Sequence, residues 1–204
     1  MRHLLDAVPG TRLDRVGYKS DFRERFWVPG SNFVKLEVQQ TFAEPDDSSW
    51  RAAFVDGDWE RALYLIDGKR PEYEQDKQRM HDLGITSRRL RVVALPLSSY
   101  LEWELRVLEL MGAISDEIRV LDASHVRTHA TGGVLPEVVV LDDTTTYEVL
   151  YDHAGVLSGA IRRSDAGLAA FCRELINAWY DLGEDIGAFC TRQLSALPPP
   201  DLTR

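Results

Sequence analysis

Apolar positions along the chain follow two periods. In NFVKLEVQQTF (32–42), Val34, Leu36 and Val38 alternate with Phe33, Lys35, Glu37 and Gln39, a period of two that predicts a strand. Val/Leu-rich runs at 89–95, 117–121, 137–141, 147–152 and 157–162 predict five more. Asp142-Asp143 and the Thr run that follows predict a hairpin between the 137–141 and 147–152 strands. Helical spacing marks the rest. Ser20 can cap SDFRERFWV, which Pro29-Gly30 stops. WRAAFVDGDWERALYLI (50–66) reads as helix with a bend at Gly57, and Pro71 opens a helix that ends at Gly84. Ser98 or Ser99 caps a helix over 100–111, closed by Gly112. One long helix is expected from Asp165 to about Leu194, with Gly183 and Gly187 as bends.

Strand–helix–strand, then hairpins, with helices at both ends, gives an α/β (or α+β) fold with a mixed sheet and flanking helices. The expected organisation is an N-terminal arm with a short helix (1–30), a single mixed α/β domain (31–195) and a mobile Pro-rich tail (196–204). Phe22, Phe26 and Trp27 give the arm an apolar side that docks on the core or on a partner.

Within the 100–111 helix, Leu101, Leu105, Val107, Leu108 and Met111 form one apolar arc at 100° per residue, and Glu104 falls inside it. A lone buried carboxylate is costly. Glu104 is therefore expected to be buried and paired with one of the strand arginines, Arg89, Arg91 or Arg119. Such a pair either fixes the helix on the sheet or orients a small polar ligand in a pocket.

Composition narrows the classes. The chain has 204 residues, 44% hydrophobic, enough for a real core, and a net charge of −9. That charge argues against nucleic-acid binding through overall electrostatics, so direct nucleic-acid binding is not expected, although arginines cluster at 12/15, 23/25, 88–91 and 162/163. No apolar run is long enough to span a bilayer, and two cysteines, Cys172 and Cys190, sit on an apolar helix side. A cytoplasmic protein with reduced thiols and no membrane partner is the expectation. His125 and His129 lie in a loop without a third ligand, so neither a metal nor a cofactor is assigned. The sequence has no P-loop, G-x-G-x-x-G or G-x-S-x-G. Glu137, Asp142, Asp143 and Asp152 flank strands, where turn chemistry and ligand binding are both open readings.

The stretches FVKLEVQQTF, SSWRAAFVDGDWERALYLI, RRLRVVALPLSSYLEWEL, DEIRVL and LPEVVVLDDTTTYEVLYDHAGVLSGAIR, with the terminal helix, resemble an uncharacterised actinobacterial domain-of-unknown-function family. Its members are often encoded beside helix-turn-helix regulators. The resemblance covers about 30–195 and places the family's recurring polar positions at Glu37, Arg91, Tyr100, Glu104, Arg119, Glu137, Asp142 and Tyr151. It departs at Ser115-Asp116, where the family often shows Gly-Glu. The element order also resembles half of a phospholipase-D-like fold, without that fold's His-x-Lys and Asp signature. The resemblance implies no reaction. It suggests a non-catalytic regulatory or binding module that acts with a protein partner, a DNA-binding helix-turn-helix regulator. The alternative is an enzyme acting on a small polar or phosphorylated metabolite in a Glu/Arg/Tyr-lined pocket.

Overall fold

The computed structural model describes residues 1–43, 56–130, 135–195 and 197. In chain order its regular elements are α1 (Arg2–Ala7), β1 (Thr11–Asp14), α2 (Arg15–Phe26), β2 (Asn32–Glu37), α3 (Trp59–Asp67), α4 (Arg70–Leu83), β3 (Thr86–Val93), α5 (Ser99–Ile114), β4 (Glu117–Asp122), β5 (Glu137–Leu141), β6 (Thr145–Tyr151), β7 (Leu157–Ser164), α6 (Ala166–Leu182), β8 (Glu184–Asp185) and α7 (Ile186–Gln193). The strands form one eight-stranded sheet in the order β1-β7-β6-β5-β2-β3-β4-β8. The pairs β2–β3 and β3–β4 are parallel; the others are antiparallel. The fold is mixed α/β with helices on both faces. No helix among the described residues is long and apolar enough to cross a membrane.

Strand parity decides which side chains meet. On one face Val34, Leu36, Leu90, Val92, Val138 and Val140 pack under α6 and α1. On the other, Val93, Ile118 and Val120 pack under α5 and α7, while Phe33, Val139, Tyr147 and Val149 pack under α2. The helices α3 and α4 lie outside α5.

Three expectations are corrected. Residues 1–30 dock on the core, one of the two placements their apolar side left open, and the first correction is to the cap of their helix. β1 pairs with β7, and Asp14, not Ser20, caps α2, accepting from the Gly17 N–H at 2.7 Å. Gly159 permits this docking: its φ is +146°, and a Cβ there would meet the Leu13 carbonyl oxygen at 2.1 Å. The long C-terminal helix is two helices. Gly183 is extended, β8 pairs with β4 and forms the sheet edge, and α7 then packs on the opposite face from α6. Apolar spacing ran through the break because both helices are amphipathic, each turned to a different face. Third, Gly112 does not end α5, which runs to Ile114. Of the 50–66 helix, 50–55 lie outside the described residues, and α3 starts at Trp59 with an Asp58 cap. The expected tail lies outside them too, apart from Leu197.

Candidate functional site

The site grows from a run of polar residues on one face of the central strands. In the parallel β2–β3 pair, Lys35 lies beside Arg89 and Glu37 beside Arg91. All four lie on the sheet face covered by α2 and α5, and the apolar arc of α5 carries Glu104 there. Arg91 is fully buried and Glu104 nearly so, at 0% and 9% exposure. Arg91 donates from Nε and Nη2 to Glu104 Oε2 at 2.9 and 2.7 Å, and to the carbonyls of Gln39 and Val92. The pairing required by the helical arc is therefore present, with Arg91 as the partner.

Glu37 accepts from Lys35 Nζ and from Arg89 Nη1, the latter at 3.0 Å, and Arg89 lies 3.7 Å from Asp116. Glu137 ends the β2 ladder. Its Oε1 accepts from the Val38 and Gln39 N–H groups at 3.0 Å each, standing in for a backbone carbonyl. Its Oε2 accepts from the Tyr151 hydroxyl at 2.6 Å. This side-chain substitution is why the strand expected to reach 42 stops at Glu37. Phe42 then lies between Tyr100 and Tyr151, with ring centroids 5.6 and 5.0 Å away, and Arg91 Cζ lies 5.7 Å from its ring.

Electrostatics divide the carboxylates. Burial alone pushes Glu37 up, but Arg89, Lys35 and Arg91 together hold it well below the ordinary range. At Glu104 burial wins over Arg91, Glu37 adds to it, and the carboxyl titrates above its ordinary value. Burial, then the Glu137 charge and the hydrogen bond to it, drive the Tyr151 phenol far upward, so it stays a donor.

Above this floor lies a cavity of about 230 Å³. Arg15, Lys19, Lys35, Glu37, Phe42, Glu104 and Tyr151 line it, with the 155–157 turn. Lys19 is exposed, so the cavity reaches the surface. Lys35 and Glu37 pair with each other, and Glu104 pairs with Arg91. The side chains of Arg15 and Lys19 carry no hydrogen bond or ion pair among the described residues. The floor combines three cations, Lys35, Arg89 and Arg91, with four carboxylates, Glu37, Glu104, Glu137 and Asp116. Arg15 and Lys19 make the mouth cationic, a setting for an anion.

Of the eight sequence candidates, Glu37, Glu104 and Tyr151 line the cavity, Arg91 and Glu137 hold them from behind, and Tyr100 packs on Phe42 at its edge. Two lie elsewhere. Arg119 pairs in register with Leu90, not Arg91. It therefore points to the opposite face, donates to the Tyr180 carbonyl at 3.2 Å and lies over the Tyr180 ring. Asp142 is a turn residue with φ +53°, accepting from the Thr144 and Thr145 N–H groups at 2.9 and 3.1 Å. The sequence marks Arg15 only as part of the 12/15 arginine cluster and gives no mark to Lys19 or Phe42. The i, i+4, i+8 spacing of Arg15, Lys19 and Arg23 on one helix was the signal available for the cations.

The chain belongs to the family described as a domain of unknown function (DUF6879), which matches residues 20–191. No curated protein matches it in sequence. Among solved structures, TrmBL2, an archaeal chromatin protein whose structure shows a novel mode of DNA binding, is similar at 14% identity with a TM-score of 0.42. That match covers 87% of this chain and 54% of TrmBL2, so the chain spans about half that protein's length. Nuc, a phospholipase D family member from Salmonella typhimurium, is similar at 11% identity and a TM-score of 0.45, covering 82% of this chain and 89% of Nuc.

Proposed function

We propose that this chain is a non-catalytic binding module that takes a small phosphorylated metabolite in the α2–sheet cavity and acts with a protein partner, a helix-turn-helix transcription regulator. One observation carries the ligand half. The charged floor groups that line the cavity, Lys35, Glu37 and Glu104, each have an ion-pair partner, while the side chains of Arg15 and Lys19 at its mouth have none among the described residues. Such groups take an anion without first breaking an ion pair, at the cost of ordering two long side chains. The partner half rests on the gene context implied by the family resemblance. The expected setting is the cytoplasm of an actinobacterium.

Isothermal titration calorimetry with ribose 5-phosphate tests the ligand half. Arg15→Ala/Lys19→Ala is expected to weaken binding about tenfold or more, discounted for the exposure of Lys19. Arg119→Ala, on the far face, leaves binding unchanged. Equal affinity for wild type and the double variant contradicts the proposal. For the partner half, capture with the tagged full chain in its native host recovers a DNA-binding protein. Recovery of no protein above an untagged control contradicts it.

A second reading is favoured by one feature. Glu104, a buried carboxyl shifted upward, lines the cavity, as a general acid would. Under that reading Glu104→Gln leaves ligand affinity intact and abolishes turnover.

A further inference from the structure

We infer that the ligand is an aromatic organic phosphate of the nucleoside monophosphate class, with its phosphate at Arg15 and Lys19 and its base against Trp27 and Phe22. This rests on the phosphate reading above and goes beyond it. A second cavity, of about 380 Å³, adjoins the first and shares Lys19, Lys35, Tyr151 and Leu157 with it. Together they fall in the range of roughly 300–1,000 Å³ typical of small-molecule sites. The two halves differ in chemistry. The first holds the cationic mouth and the carboxylate floor; the second is walled by Tyr18, Phe22 and Trp27.

Those rings are fixed in place. Phe22 stacks on Phe26 with centroids 5.4 Å apart and meets Phe33 edge-on at 5.8 Å. The Trp27 ring meets Phe26 edge-on at 4.9 Å and carries Arg79 Cζ at 4.1 Å from its centroid. A pre-ordered aromatic wall stacks a planar base with little further loss of side-chain freedom.

Between the two ends a ligand needs hydrogen-bond donors, and the floor offers an acceptor. Both bonds from Arg91 to the Glu104 carboxylate go to Oε2. Oε1 of the same carboxylate accepts no hydrogen bond among the described residues, on a side chain that lines the cavity. A sugar hydroxyl supplies that missing donor; a simple alkyl phosphate does not. Phosphate, hydroxyl and aromatic ring in one small molecule describe a nucleotide.

The test is calorimetry on the full chain with three probes: adenosine 5′-monophosphate, ribose 5-phosphate and a single-stranded hexanucleotide. The nucleotide is expected to bind about 5- to 150-fold tighter than ribose 5-phosphate, the range one stacked base supplies. Trp27→Ala should erase that advantage and leave ribose 5-phosphate within about twofold of wild type, which a purely structural role for Trp27 would not do. The comparison of ligands on wild type needs no variant, so misfolding of Trp27→Ala cannot obscure it. Equal affinity for nucleotide and ribose 5-phosphate overturns the inference and leaves the phosphate reading standing. Absence of binding by either overturns both. A hexanucleotide that binds tighter than the mononucleotide, with steep salt dependence, makes the ligand nucleic acid and also overturns the inference.

Discussion

Replacing Arg91 with Met tests the buried charge network most sharply. Arg91 is fully buried and donates to one carboxylate oxygen and two backbone carbonyls. Removing one partner of a buried ion pair costs about 3–5 kcal/mol, because the other charge is left uncompensated. Glu104 has a way out, since its carboxyl already titrates above the ordinary range and takes up a proton when Arg91 is gone. That holds the expected cost near the lower end, about 3 kcal/mol. With a urea m-value of about 3 kcal/mol per M, the midpoint falls by about 1 M. Glu104→Leu leaves Arg91 with Glu37 and its two carbonyls and should cost about 1–3 kcal/mol. The double variant Arg91→Met/Glu104→Leu removes both charges, so its cost should be smaller than the sum of the singles by about 2 kcal/mol. Strict additivity, or a cost below about 1 kcal/mol for Arg91→Met with an unchanged m-value, would refute the reasoning.

Other predictions follow from the same geometry. Glu104 titrates above its unfolded value of about 4.3, so its ionisation takes stability away as pH rises above that value; the stability of Glu104→Gln relative to wild type should climb as pH rises from about 4.3. Glu37 has the opposite sign: its pairing contributes stability above about pH 4.3 that is lost as pH falls, so the deficit of Glu37→Gln should shrink on acidification. Urea midpoints across pH measure both, and flat differences contradict them. Gly159→Ala puts a Cβ against the Leu13 carbonyl at a positive φ, should cost about 2–3 kcal/mol and should raise amide exchange across β1. Burial pushes the thiols of Cys172 and Cys190 up to about 11 and about 12. Neither should react with iodoacetamide at pH 8 until the chain is unfolded, and rapid labelling of the native protein contradicts that.

Much of this arrangement was legible along the chain, and the failures have physical causes. The strands from β2 to β7 show period-two or Val-rich runs because they are long and half or fully buried. The two- and four-residue edge strands β8 and β1 are too short to carry a period. Glu104 could be found because a helix converts position into angle, and one carboxylate fell within an apolar arc. Arg119 could not be placed the same way. Its face depends on a parallel register, in which a shift of one residue moves a side chain through the sheet. Arg15 is marked only by the 12/15 arginine cluster, and Lys19 by nothing. Only the pairing of β1 with β7 and the packing of α2 bring them over Glu37 and Glu104.

The proposed site places a phosphate at Arg15 and Lys19, above Glu37 and Glu104. Calorimetric titration of the full chain with adenosine 5′-monophosphate, beside Arg15→Ala/Lys19→Ala and Arg119→Ala, tests it most directly. Saturable one-to-one binding is expected for wild type and Arg119→Ala, with a loss of about tenfold or more in the double variant. Binding that is absent in wild type, or unchanged in the double variant, would contradict it.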